Sequence, residues 1–176
     1  MKLNSKSISF AVAMFCGAGV WAADGTVNVT GSVSATTCTV NGNGTGVANF
    51  SIAMPNVAKS ALNVAGATAG TTPFTIAVTG CSGTSTTITP YFESGSTINS
   101  SGRLINSGTA ANVEVQITTG TGTVVALNAG SGSQNVTATN LSGGAGTSSF
   151  IARYYATGVA TAGTVSSSFT YSIVYN

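Results

Sequence analysis

The sequence contains no histidine, and only 5% of its residues are charged: five Lys or Arg and three Asp or Glu. Without imidazole there is no His-activated nucleophile and no His-ligated metal. The three acids are Asp24, Glu93 and Glu114. A paired-carboxylate site would exist only if the fold united Glu93 with Glu114, and isolated solvated acids are the expectation. The glycine-rich runs Gly42 to Gly46 and Gly143 to Gly146 lack the lysine and the following helix that a phosphate loop requires, and read as turns. No catalytic residue, cofactor or metal is expected, and the chain is not read as an enzyme. Helix-forming Glu, Lys and Leu are scarce, while Gly, Ser, Thr, Ala, Val and Asn dominate.

The first residues have the three parts of a secretory signal. Lys2 and Lys6 give a basic start, Ile8 to Val20 is mostly apolar, and Val20-Trp21-Ala22 ends on small residues. Cleavage is expected after Ala22, leaving Ala23 first. A cut after Ala23 would place bulky Trp21 three residues back. Phe15 before Cys16 argues against a lipoprotein signal. The apolar run is too short for a transmembrane anchor and no second one follows, so no membrane insertion is expected.

Removal of residues 1–22 takes away two lysines. Lys59, Arg103 and Arg153 then balance Asp24, Glu93 and Glu114, and the formal charge falls from +2 to zero. Too few cations remain to neutralise nucleic-acid phosphates. A nearly uncharged surface also lacks the usual protection against association, which suits a protein built to pack against others. The 154 residues left suit one domain with one core. Loss of Cys16 leaves Cys38 and Cys81, an even count in an exported chain, which predicts a disulfide over two buried free thiols.

Short strand patterns fill this remainder. Val27, Val29, Gly31 and Val33 alternate with polar residues, and Thr37 to Val40 follows after a break. Val47 to Ile52 leads to Pro55. Phe74, Ile76 and Val78 alternate up to Cys81, and Ile88 to Phe92 comes next. Val113, Val115 and Ile117 precede the Gly120-Thr121-Gly122 turn, across which Val124 to Leu127 is expected to pair. Val136 to Leu141 and Phe150 to Tyr155 continue the series, and Asn56 to Val64 could carry a short helix. In the last stretch Val165, Ser167, Phe169, Tyr171, Ile173 and Tyr175 share one face. This final strand carries no Lys, Pro or bulge signal and reads either as an exposed edge or as a strand buried in the middle of an ordinary sheet. Many short strands with Gly-, Asn- and Ser-rich turns predict an all-β sandwich, and Gly and Thr recur at no fixed period that would mark a solenoid.

Several of these features together resemble the structural pilins of the chaperone–usher family, in particular the major subunits of type 1-like fimbriae. They are the arm Thr26-Val-Asn-Val-Thr-Gly-Ser-Val33 leading to Thr36-Thr-Cys38, Met54-Pro-Asn-Val57 followed by Leu62, and Thr72-Pro-Phe-Thr75 running to Gly80-Cys81. Asn112-Val-Glu-Val-Gln-Ile117 and Ala152-Arg-Tyr-Tyr-Ala-Thr-Gly158 follow. The end matches too, with Gly163 fourteenth from the last residue and Tyr175 penultimate. The resemblance implies an incomplete immunoglobulin-like β-sandwich that lacks its final strand, plus an N-terminal donor-strand arm. It implies a signal peptide at 1–22, the arm at 23–35 and the pilin domain at 36–176. A groove would lie beside the C-terminal strand, on which Gly163, Phe169, Tyr171, Ile173 and Tyr175 would line the groove or meet a chaperone. A periplasmic chaperone would fill the groove first. At an outer-membrane usher the arm of a neighbouring subunit would replace it, inserting Val27, Val29 and Val33 with Gly31 where no side chain fits. Val29 departs from the family, which often has Phe there. The expected product is the main structural subunit of a surface fimbria, exported through the periplasm of a Gram-negative bacterium. The alternatives are a minor or adaptor subunit and a sugar-binding adhesin, for which the mature length has no space.

Overall fold

The computed structural model describes residues 27–176. They divide between Ser32 and Val33. The leader, the cleavage residues Ala22 and Ala23, and Asp24 lie outside the described residues. Residues 27–32 carry no strand or helix, and Val27 and Val29 are 88% and 91% exposed.

The second unit, Val33–Asn176, is all-β. Its strands are β1 (Thr37–Gly42), β2 (Thr68–Ser82), β3 (Thr87–Phe92), β4 (Val113–Thr119), β5 (Thr139–Asn140), β6 (Gly146–Ala156) and β7 (Tyr171–Tyr175). One sheet runs β1-β2-β6-β4 and the other β5-β3-β7, with every pairing antiparallel. Period-two alternation drives this arrangement. Phe74, Ile76 and Val78 of β2, Ile88 and Phe92 of β3, Val115 and Ile117 of β4, and Phe150 and Ala152 of β6 are all buried. Phe92 of the smaller sheet meets Phe150 of the larger edge-on at 5.2 Å, and Phe150 stacks on Phe74 at 5.4 Å. The aromatic core therefore joins the two sheets into a sandwich.

Cys38 of β1 and Cys81 of β2 form a disulfide between neighbouring strands, with Cα atoms 4.1 Å apart. In the β2–β6 ladder the register shifts between Ala69 and Thr72. Gly70 sits there at φ +66, and a Cβ on it would come within 2.7 Å of the Tyr154 ring. Only glycine accepts both the conformation and that close approach.

Four expected strands differ from the sequence pattern. Val47 to Ile52 forms no strand. The closing strand is confined to Tyr171–Tyr175, so Val165 to Thr170 lacks strand pairing. Both have strand-like side-chain alternation without a neighbour on one flank, and a ladder needs two partners. Val124 to Leu127 contributes one bridge, Thr118 to Val124, with Val125 N–H donating to Ile117 C=O at 3.0 Å. Val136 to Leu141 shrinks to Thr139–Asn140, and just upstream the Gln134 side chain stands in for a ladder at Phe92. Its Oε1 accepts from Phe92 N–H at 2.9 Å, and its amide donates to Phe92 C=O at 2.7 Å and Ala129 C=O at 3.0 Å. Within Asn56 to Val64 the helix is one 3-10 turn, Lys59–Leu62.

Candidate functional site

The two segments without ladders face each other across an open groove of about 780 Å³. One wall is the C-terminal segment, whose Val165, Ser167, Phe169, Tyr171 and Ile173 are half-buried while Ser166, Ser168, Thr170 and Ser172 are exposed. The other wall is residues 48–54. There Phe50, Ile52 and Met54 are half-buried and Asn49, Ser51 and Ala53 exposed. Leu104, Val115, Ile117 and Ala152 form an apolar floor, with Tyr154 beside it. Phe169 reaches deepest, 5.3 Å from Phe92 and 6.2 Å from Phe74 between ring centroids.

The walls are held differently. Ser166 is pinned on both sides of its peptide: Ser107 N–H donates to its C=O at 2.8 Å, and its own N–H donates to Asn106 Oδ1 at 2.9 Å. The Ser167 hydroxyl donates to Ile105 C=O at 2.8 Å, and Glu93 N–H donates to Thr170 C=O at 2.9 Å. The intervening Val165, Ser167 and Phe169 have no backbone hydrogen bond among the described residues. In an extended chain alternate residues send their N–H and C=O to the same flank, so these three present an open strand edge. Across the groove, residues 48–57 form no backbone–backbone hydrogen bond among the described residues. Packing of Phe50 on Phe74 at 5.9 Å and on Tyr171 at 6.2 Å holds that wall. So does one bond across the groove, from the Tyr171 hydroxyl to Ala48 C=O at 2.7 Å. Burial raises the Tyr171 and Tyr154 pKa values, because the phenolate would lose hydration.

Of the five residues singled out on the C-terminal segment, Phe169, Tyr171 and Ile173 line the groove. Tyr175 pairs with Ile88 at the far end of β7. Gly163 stands against Thr109 and Ala110, where a Cβ would collide with Ala110 N. On the arm, Val33 is fully exposed like Val27 and Val29, and a Cβ on Gly31 would have open space. Glu93 and Glu114 do not make a carboxylate pair. Glu93 accepts from the Ser172 hydroxyl at 2.6 Å, and Glu114 pairs with Arg103 at 2.6 Å while accepting from Asn99. Sequence reasoning missed the Phe50–Ile52–Met54 wall as part of the site. Its period of two was visible, but nothing local says that such a strand stays unpartnered.

Two sheets closed over one aromatic core, with an open edge on one wall of an apolar groove, define an incomplete immunoglobulin-like sandwich. The family model described as fimbrial protein matches residues 27–176. The chain therefore belongs to the fimbrial protein family, and it is a subunit of a surface fimbria. It is 40% identical over 165 residues to the major fimbrial subunit SMF-1 of Stenotrophomonas maltophilia, covering 88% of this chain and 94% of that one. A fimbrial protein of Escherichia coli is 34% identical over 160 residues, covering 86% and 87%. In fold the chain is similar to the P pilus rod subunit PapA, with a TM-score of 0.61 over 79% of this chain and 99% of that one at 21% identity.

Proposed function

We propose that this subunit polymerises by donor-strand exchange and builds the shaft of the fimbria as its major component. The observation that carries the reading is the groove between two walls that alternate like strands yet lack ladder partners. An extended segment laid between them would satisfy the open edge and place alternate side chains on the apolar floor. The arm of a second copy is the occupant. Val27 to Val33 extended spans about 20 Å, within the roughly 26 Å from Val165 to Ile173. Val27, Val29 and Val33 are nearly fully exposed, and burying each is worth about 1.5 kcal/mol or more. Among the described residues nothing around Gly31 requires glycine, and its φ is not in the left-handed region. The requirement is assigned to the groove that receives it.

On this reading residues 1–22 are a removed signal, 23–35 the donor arm and 36–176 the pilin domain. Transit is through the periplasm, where a chaperone strand fills the groove until an outer-membrane usher exchanges it for an arm. Gly163, Phe169, Tyr171, Ile173 and Tyr175 belong to the segment the chaperone engages. The 40% identity to a major subunit favours the shaft role. The test compares the mature chain with one lacking Ala23 to Ser34, each co-expressed with a cognate chaperone and then released. The full chain is expected to form ladders that resist SDS without heating, and the truncated one to stay chaperone-bound and never polymerise. Unfolding of the truncated chain with chaperone present would make the arm an internal strand and refute the proposal.

A further inference from the structure

The two groove walls differ in how firmly they are fixed. The C-terminal wall is anchored through Ser166, Ser167 and Thr170 to Asn106, Ser107, Ile105 and Glu93. The opposite wall, residues 48–57, has side-chain packing and, among the described residues, a single hydrogen bond that ties it to the fixed wall, the one from the Tyr171 hydroxyl to the Ala48 carbonyl. At that end the wall closes inward. The Phe50 ring lies over Gly42, where a Cβ would overlap the ring, and meets the Tyr171 ring edge-on. Beyond it the segment turns back through Val47, whose carbonyl accepts from Gly42 N–H at 2.8 Å.

We propose that Tyr171 and Ala48 form a latch that closes one end of the empty groove, and that a strand enters fully only when this loose wall swings away from Tyr171. The inference rests on the strand-accepting reading of the groove and adds to it which wall moves and what holds it shut. Two features make the bond an obstacle to entry. The Tyr171 side chain reaches across the path between the walls. Its hydroxyl also occupies a wall carbonyl that an inserted strand would use as a ladder acceptor. Among the described residues every other polar anchor of the groove lies on the fixed wall, so this bond is the polar tie whose loss loosens the other wall. Losing one hydrogen bond of ordinary net strength corresponds to about a 2- to 12-fold change in an opening equilibrium.

The test uses the full mature chain, kept dilute, as wild type, Tyr171→Phe and Tyr91→Phe. Tyr91 lies on β3, and its hydroxyl forms no hydrogen bond among the described residues. Two readouts are taken: the rate of limited proteolysis within residues 48–57, and uptake of a fluorescent synthetic peptide with the sequence of residues 23–35. Tyr171→Phe keeps the ring and its packing. It is expected to speed both cleavage and uptake about 2- to 12-fold, with Tyr91→Phe matching wild type. Uptake by wild type and Tyr171→Phe at equal rates, with equal cleavage at 48–57, would overturn the latch and leave the strand-accepting groove standing. No uptake by any of the three proteins would overturn the strand-accepting reading. In that case faster cleavage within 48–57 in Tyr171→Phe would still uphold the latch as the fastening of that wall.

Discussion

Replacing Gly163 by Ala should cost the subunit stability. A Cβ at this position would overlap Ala110 N and lie 2.7 Å from the Thr109 carbonyl carbon and 2.8 Å from Ala110 Cα. All three are backbone atoms, so no rotamer change relieves the clash. The neighbourhood is also tied. Thr164 N–H donates to Thr109 Oγ1 at 2.9 Å, Thr109 N–H returns to Thr164 Oγ1 at 3.1 Å, and Ala110 N–H donates to Thr164 C=O at 3.0 Å. Overpacking a tight site costs about 1–3 kcal/mol. Stretching one or two of these bonds adds about 0.5–1.5 kcal/mol each. Against this stands about 0.4–1 kcal/mol from the stiffer unfolded chain. The net expectation is a loss of about 2–4 kcal/mol, or on the order of 10 °C in Tm for a chain of this size. Urea and thermal unfolding of the disulfide-intact chain would measure it. Gly158→Ala is the comparison, since its Cβ would meet only the Asn112 side chain at an ordinary 3.5 Å, and it should change stability by less than about 0.5 kcal/mol. A Gly163→Ala chain as stable as wild type would refute the packing argument and leave chaperone contact as the reason for glycine there.

Other outcomes follow from the same geometry. Replacing Cys38 and Cys81 by Ser opens a bridge of sequence separation 43, and should cost about 4 kcal/mol, read as a lower urea midpoint. Gly31→Val should leave the unfolding midpoint of the monomer within about 0.5 kcal/mol of wild type, because its Cβ has open space, while abolishing SDS-resistant ladders. Ladders formed at the normal rate would remove the steric role assigned to Gly31. The folded-state pKa values of Tyr154 and Tyr171 are raised above 10.0 by burial, so the folded state holds those protons more tightly than the unfolded one. Their contribution to stability is fully present below pH 10 and is lost as pH rises through the raised values. The urea midpoint should fall above pH 10, and fall less in Tyr171→Phe, whereas equal alkaline profiles would deny Tyr171 a share.

The sandwich was legible because its core strands announce themselves. Phe74-Ile76-Val78, Val113-Val115-Ile117 and Phe150-Ala152 alternate in the sequence and are buried in that phase in the fold. Cys38 and Cys81 could be paired by count, and adjacent strands bring them together. The groove-facing set from Val165 to Ile173 was readable for the same reason. Gln134 was not readable. A buried side-chain amide that stands in for a ladder at Phe92 has no periodic signature, and an isolated glutamine in a Ser- and Gly-rich stretch looks like any loop residue. Gly163 was noticed for its distance from the C-terminus, while its contact with Thr109 and Ala110 depends on a crossing between segments far apart in sequence.

The segment from Val47 to Ile52 carries the more general point. Its alternation correctly marks which side chains face inward, since Phe50 and Ile52 pack against the core. What fails is the step from alternation to strand, because a strand is a relation between two backbones and a sequence pattern describes only one. The same failure occurs from Val165 to Thr170, on the other side of the same groove. Two independent mispredictions bordering one gap are better explained by a missing partner than by two weak propensities. Weak propensity would leave irregular burial, whereas Asn49 to Met54 and Val165 to Ile173 alternate in burial with a period of two. Extended backbone with its edge open is a costly state for any chain to maintain alone. On the proposed reading, a strand from a second copy laid in the groove would offset that cost.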